Sequence, residues 1–185
     1  MVKKNKVLNI SKKLGLSHIG SCLSVLPILE EIYAKKKPED KVILDNAHAH
    51  LAHLLFIQRF NVEKFIKMDI HCNRKVGCDA SGGSLGHGIG IGIGFALANP
   101  DITVYVIVSD GSLQEGSDWE ALRLKKLLKI DNLKVYANLN GSTALEDIDR
   151  IELGTRLLAF CKDIEIRHTD NGEGFEGVQG HYKVI

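Results

Sequence analysis

Apolar, β-branched residues run unbroken over positions 104–108, and the run ends at Ser109-Asp110-Gly111. A second, mostly apolar run, Leu133–Leu139, ends at Asn140-Gly141. Residues 113–129 between them carry an amphipathic, helix-length pattern. Two strands joined by a helix make a βαβ unit, so the strands are expected to be parallel with their C-terminal ends together. Asp110 and Asn140 then share one rim of the sheet, the edge at which open α/β folds bind ligands.

The same patterning divides the rest of the chain. Residues 2–14 read as a helix with Val7, Leu8, Ile10 and Leu14 inward, followed by a turn at Gly15. A second helix is predicted over 23–36, started by Ser21 or Ser24 and tolerating Pro27 in its first turn. Lys41–Leu44 is a short strand ending at Asp45-Asn46-Ala47-His48; helices follow over 48–59 and 62–68, then a loop over 70–88. Residues 88–99 (GIGIGIGFALAN) alternate strictly, which favours a strand, but glycine at every second site would leave one strand face bare. A helix with a glycine surface for close approach is the better expectation. One or two helices are expected over 143–160, with Asp147 and Asp149 near a start, then a strand over 164–167 and a Gly-rich tail over 170–185.

Length and composition restrict the function. A chain of 185 residues, 44% apolar and 25% charged, suits one globular domain spanning 1–185. A net charge of +1 gives no case for nucleic acid or a membrane surface. With no apolar run of spanning length and no signal-like start, a cytoplasmic protein is expected. The four cysteines, at 22, 72, 78 and 161, lack paired C-x-x-C spacing, so free buried thiols are the expectation.

The rim residues suggest chemistry. A carboxylate, an amide oxygen and a nearby carbonyl make a hard-oxygen site suited to Mg²⁺ or Ca²⁺ with a diphosphate as co-ligand. Gly111 and Gly116 would let the backbone approach phosphate closely. The Gly-rich 82–94 stretch lacks a P-loop lysine, which argues against a nucleotide site. His50 and His53 follow His48 on a predicted helix and raise zinc as an alternative, but the sequence offers no fourth ligand. A lone histidine at a strand end is more often structural than catalytic, and His87 and His168 carry no assignment.

Five segments together resemble one family. Ser109-Asp110-Gly111, followed about thirty residues later by Asn138-Leu139-Asn140-Gly141, is similar to the thiamine diphosphate motif. The segment QEGSDWEA between them resembles its transketolase version, with Glu115 and Glu120 on the two Glu positions. Ser17-His18-Ile19-Gly20 looks like the first transketolase block, and Asn46-Ala47-His48-Ala49 like the block that ends the next strand. His71-Cys72, followed by Gly83-Ser84-Leu85-Gly86-His87-Gly88, is similar to a third. HTDNGEGFEGVQGHYKVI resembles the last. The order and spacing of the five carry the likeness.

The resemblance implies a doubly wound, mainly parallel α/β sheet with helices on both faces, the thiamine-diphosphate-binding fold. It implies that Asp110 and Asn140 ligate the metal through side-chain oxygens and Ser142 through its carbonyl. Gly111 would offer an N–H to the diphosphate, with Gly83 and Leu85 lining the cofactor rings. His18, His48, His71 and His181 would surround the reacting carbon and the sugar hydroxyls as catalytic groups. Glu115 and Glu120 would sit at a subunit interface, Glu115 also below the cofactor as a binding residue. The implied activity is transketolase: transfer of a two-carbon ketol unit from a ketose to an aldose, with sugar phosphates as substrates. Each addition to a sugar carbonyl leaves an alkoxide that needs a proton and each cleavage removes one, work that imidazoles can do near neutrality. A 1-deoxyxylulose-5-phosphate synthase-like enzyme and a non-catalytic partner-binding relative are the alternatives.

The chain departs from the pattern at Ser109 and Ser17, where glycine is usual, at Ala47, and at His87, where glutamine is common. None of these removes a proposed ligand side chain. The pyrimidine-gripping half, with the glutamate that protonates the cofactor's pyrimidine ring, has no counterpart among these 185 residues. A complementary pyrimidine-binding subunit is therefore expected, in an α₂β₂ heterotetramer of a compact split transketolase.

Overall fold

The computed structural model describes residues 2–58 and 61–185. Four strands, β1 (Lys41–Leu44), β2 (Val104–Ser109), β3 (Leu133–Leu139) and β4 (Glu165–His168), form one sheet with every neighbouring pair parallel. Successive side chains leave a strand on opposite faces, and the sheet divides its apolar residues accordingly. Val42, Leu44, Tyr105, Ile107 and Tyr136 enter a core beneath α1 (Val2–Leu14), α2 (Ile19–Lys35), α3 (His50–Ile57) and α4 (Val62–Met68). Ile43, Val106, Val108, Val135 and Leu139 enter the other, beneath α5 (Gly88–Ala98), α6 (Gly116–Leu127) and α7 (Arg150–Phe160). Burial on both faces is why β2 reads as an unbroken apolar run.

The α/β class, the parallel sheet and the helices on both faces are as expected. The strand order, β1-β2-β3-β4, is sequential, so the described sheet does not reverse its winding. Both faces are covered because the β1-to-β2 connection carries α3 and α4 to one core and α5 to the other.

Several boundaries differ from the sequence reading, each for a tertiary reason. The second helix starts at Ile19, so Pro27 lies inside it rather than in its first turn. Neither Ser21 nor Ser24 caps it: the N-cap is His18, in the left-handed region at φ 59°, and its backbone N–H donates to the His181 carbonyl at 3.1 Å. The predicted 48–59 helix is a 3-10 turn, Ala47–Ala49, followed by α3, and its last predicted residue, 59, lies outside the described residues. The predicted 113–129 helix splits into a 3-10 turn, Ser112–Gln114, and α6. Only α7 forms within 143–160, with the Asp149 carboxylate accepting from the N–H groups of Ile151 and Glu152. The tail is not all loop: α8 (Gly177–His181) folds back toward the start of α2. Among the described residues no helix is long and apolar enough to cross a membrane.

The alternating segment is the helix α5. A Cβ at Gly92 would lie 2.6 Å from Val106 Cγ2 and 2.9 Å from Leu133 Cδ1, so glycine lets this helix sit down on the sheet. A Cβ at Gly94 would meet nothing within 4 Å. Gly92→Ala is therefore expected to destabilise the fold by about 1–3 kcal/mol through overpacking. Gly94→Ala is expected to be neutral or stabilising by up to about 1 kcal/mol. Urea denaturation of the two variants checks the difference, and equal midpoints would contradict the packing of α5.

Candidate active site

The strand ends create the site. Register sets Ser109 beside Asn138, so the residues that follow leave the sheet together. Asp110 is fully buried, and its Oδ2 accepts the Asn140 backbone N–H at 2.7 Å. Its Oδ1 is buried without a hydrogen-bond partner. Burial raises the Asp110 carboxyl to about 6 despite donation from the Asn140 backbone. The Asn140 side chain is held at both ends: Nδ2 donates to Ser24 Oγ at 3.1 Å, and Oδ1 accepts the Ser142 N–H at 2.9 Å. Because the Ser142 N–H requires an acceptor, the amide oxygen, not the nitrogen, lies on the Ser142 side.

A cavity of about 220 Å³ opens beside these groups. Its lining includes Asn140, Ser142 and Gly111 from the rim, and Gly83 and Leu85 from the loop before α5. All four expected histidines, His18, His48, His71 and His181, line it as well. His18 is the centre of a ring cluster, with centroids 5.0 Å from His48 and 4.8 Å from His181. Burial, then the neighbouring His181 and His71, lowers His18 to about 4; burial, then His18, lowers His48 to about 3; burial lowers His181. Burial thus favours the uncharged form of all three imidazoles. A Cβ at Gly111 would meet Leu85 Cδ1 at 3.2 Å, so the glycine lets the loop and the rim close on each other.

Three sequence-predicted residues lie away from the cavity. Glu115 and Glu120 are exposed and outside the cavity lining, Glu115 packing against Gly86 of the loop that carries Leu85. Glu120 lines a shallow surface groove between α5 and α6 with Gly90, Ile93 and Leu124. Gly116 starts α6, also away from the cavity.

Other residues complete the site without having been foreseen. Asn46 lines the cavity with both side-chain polar atoms buried and unpartnered. Its only signal was a polar pair at the end of β1. Asp45 accepts the backbone N–H groups of Gly86, His87 and Gly88, at 2.9, 2.8 and 2.5 Å. One carboxylate therefore caps the start of α5 and fixes the loop that carries Gly83 and Leu85. Ser24 accepts from the amides of both Asn138 and Asn140. Ser109, which stands where glycine is usual, bonds Ser112 through its hydroxyl at 3.1 Å and tightens the turn after β2.

The donor set fits a hard divalent cation. A buried carboxylate oxygen without a partner costs about 1–3 kcal/mol, more when charged, and a cation would satisfy it. Asn140 and Ser142 line the cavity and are joined by the Ser142 N–H to the Asn140 amide oxygen.

No family model matches the sequence. A 6-deoxy-6-sulfo-D-fructose transketolase subunit of Clostridium sp. (strain MSTE9) is 30% identical over 154 residues, 69% of this chain and 56% of that protein. A 1-deoxy-D-xylulose-5-phosphate synthase of Fusobacterium nucleatum is 29% identical across 80% of this chain and 25% of its own length. An apulose-4-phosphate transketolase subunit of Phocaeicola vulgatus is 26% identical, with 87% of this chain covering 68% of it. The chain thus spans about half of the first of these and a quarter of the second. The fold matches the transketolase of Campylobacter jejuni with a TM-score of 0.60 at 17% identity, over 91% of this chain and 37% of that one. It matches the transketolase of Leishmania mexicana with a TM-score of 0.61 at 18% identity, over 88% and 36%.

Proposed function

We propose that the chain is the diphosphate-binding subunit of a split transketolase, working on sugar phosphates with a pyrimidine-binding partner. The observation that carries this reading is the single cavity that joins Asn140, Ser142 and Gly111 to His18, His48, His71 and His181; Asp110 does not line it but holds the Asn140 backbone that does. Asp110, Asn140 and Ser142 would hold Mg²⁺, or Ca²⁺, against the diphosphate, and Gly111 would donate its N–H to a phosphate oxygen. When bound, thiamine diphosphate supplies the electron sink for breaking and forming a carbon–carbon bond next to a carbonyl.

The chain's own residues handle position and protons. Leu85 walls the rings with apolar surface. The lowered histidines accept a proton from a sugar hydroxyl as a bond breaks and return it to an alkoxide oxygen as one forms. Ser17 Oγ lies 2.9 Å from His18 Nδ1 and sets the orientation of that ring. Asn46 offers an amide to a sugar hydroxyl in place of the hydrogen bonds it otherwise lacks.

The cavity also supports a partner. At about 220 Å³ it is smaller than the roughly 300–1,000 Å³ usual for cofactor pockets, as half a site should be. Leu145, beside cavity-lining Ala144, is 90% exposed, and Tyr182 is 54% exposed at the same mouth. Such apolar groups suit a contact with a second polypeptide, as do exposed Glu115 and Glu120. The α₂β₂ assembly and a cytoplasmic site of action belong to the same proposal. The chain co-purified with its partner, given thiamine diphosphate and Mg²⁺, is expected to transfer a ketol unit from xylulose 5-phosphate to ribose 5-phosphate. The chain alone is expected to show none. A folded, cofactor-loaded complex without turnover on ketose and aldose phosphates would defeat the assignment.

A further inference from the structure

A second cluster lies beside the cavity wall, in groups that the proposed reaction does not use. His50 and His53 stand one turn apart on α3, and Cys72 and Cys78 flank the 3-10 turn Arg74–Val76 in the following loop. All four are buried, at 0%, 1%, 3% and 5% exposure. We propose that His53, Cys72 and Cys78 form a zinc site that staples this loop to α3, with His50, against Cys78, as the group nearest to its fourth position.

The geometry carries the assignment. Cys78 Sγ lies 3.5 Å from His50 Nε2, and both sulfurs lie 3.9 Å from His53 Nδ1. The ligand atoms of His53, Cys72 and Cys78 all fall within 4.8 Å of one another, whereas His50 lies outside that set and touches it only through Cys78. A tetrahedral zinc about 2.3 Å from sulfur and about 2.05 Å from nitrogen needs sulfur–nitrogen edges of about 3.5 Å. The outer groups agree. His50 Nδ1 lies 3.0 Å from the Asp69 carbonyl, which can only accept, so that nitrogen carries the proton and Nε2 keeps its lone pair. His53 Nε2 lies 2.9 Å from the Tyr33 hydroxyl, which leaves Nδ1 toward the sulfurs. Two thiolates and an imidazole select zinc over magnesium or calcium, and their full burial beside His50 makes the site structural rather than catalytic. The sequence hid this because both cysteines arrive from a loop whose path no periodicity reveals.

The position gives the site a purpose. Cys72 follows His71, and His50 lies two residues after His48, so the metal ties the two cavity histidines to one anchor. Outside its one 3-10 turn the 69–82 loop has no regular structure, and a cross-link replaces the ladder it lacks.

The full chain, purified from ordinary medium and dialysed into magnesium buffer, is expected to hold about one zinc per chain by elemental analysis. Asp110→Asn and Cys161→Ser should keep it; Cys72→Ser and Cys78→Ser should lower it at least about tenfold. Should those two serine variants fail to fold, the wild-type chain answers instead: mercurial titration should release zinc in step with two thiols. Cobalt exchange should give sulfur-to-cobalt charge transfer with intense tetrahedral visible bands. Folded protein free of zinc with both thiols open to titration overturns the proposal. So does a Cys72–Cys78 disulfide by mass spectrometry, or zinc that is lost with Asp110→Asn.

Discussion

Asp110→Asn is expected to abolish magnesium-dependent binding of thiamine diphosphate while the domain stays folded. The substitution separates the two jobs of this carboxylate. Oδ2 accepts the Asn140 N–H at 2.7 Å, and an amide oxygen can do the same. Oδ1 has no partner in the protein, and there the negative charge has no other use than a cation. Removing that charge also relieves a buried carboxyl, so stability should hold or rise. Outer groups around a metal commonly matter 10–100-fold, so loss of a charged ligand should cost cofactor affinity about 100-fold or more. The pH dependence has a definite sign. Burial raises Asp110 to about 6, and the cation must displace a proton below that value. Metal-dependent affinity should therefore be constant above about pH 6 and weaken as pH falls through it. Calorimetric titration of both proteins between pH 5 and 8 checks this. An Asp110→Asn protein with unchanged affinity would remove Asp110 from the metal site.

His18→Asn is expected to lower kcat in the assembled enzyme by about 10²–10⁴-fold, the usual share of a positioned proton carrier. Cofactor affinity should barely move, because His18 packs with the rings of His48 and His181 and is not one of the proposed metal or diphosphate ligands. Asparagine is chosen because His18 sits at φ 59°, a left-handed conformation that asparagine accepts. The same variant tests the electrostatics. His18 is lowered to about 4, against about 6.5 in an unfolded chain. Between those values the unfolded chain binds the extra proton, so the stability linked to this group is complete above about pH 6.5 and is lost as pH falls through about 4. Wild-type stability should fall between pH 7 and pH 5, and by less in His18→Asn. Identical pH profiles for the two proteins would contradict the buried cluster.

How much of this was written in the chain depends on where the determining contacts lie. β2, β3 and the rim residues Asp110 and Asn140 were legible because strands buried on both faces leave local apolar runs, and the chemistry falls at their ends. α5 was legible once bare glycines were weighed against alternation, since Gly92 faces Val106 at close range. The start of α2 was misplaced because a contact with residue 181 fixes it, and a capping serine there serves Asn138 and Asn140 instead. α8 was missed for the same reason: a five-residue helix has no periodicity to read. Asp45 looked like a strand-end turn residue, and only the folded loop reveals the three N–H groups it collects. Cys72 and Cys78 meet His50 and His53 across some twenty residues or more of chain, a distance that spacing rules for adjacent ligands do not cover.

The most direct test is a crystal of the chain with its partner, thiamine diphosphate and Mn²⁺ in place of Mg²⁺, examined by anomalous scattering. A peak is expected within coordination distance, about 2.0–2.4 Å, of the oxygens of Asp110, Asn140 and Ser142, with diphosphate oxygens completing the shell. Manganese bound elsewhere, or a diphosphate seated without these three residues, would contradict it.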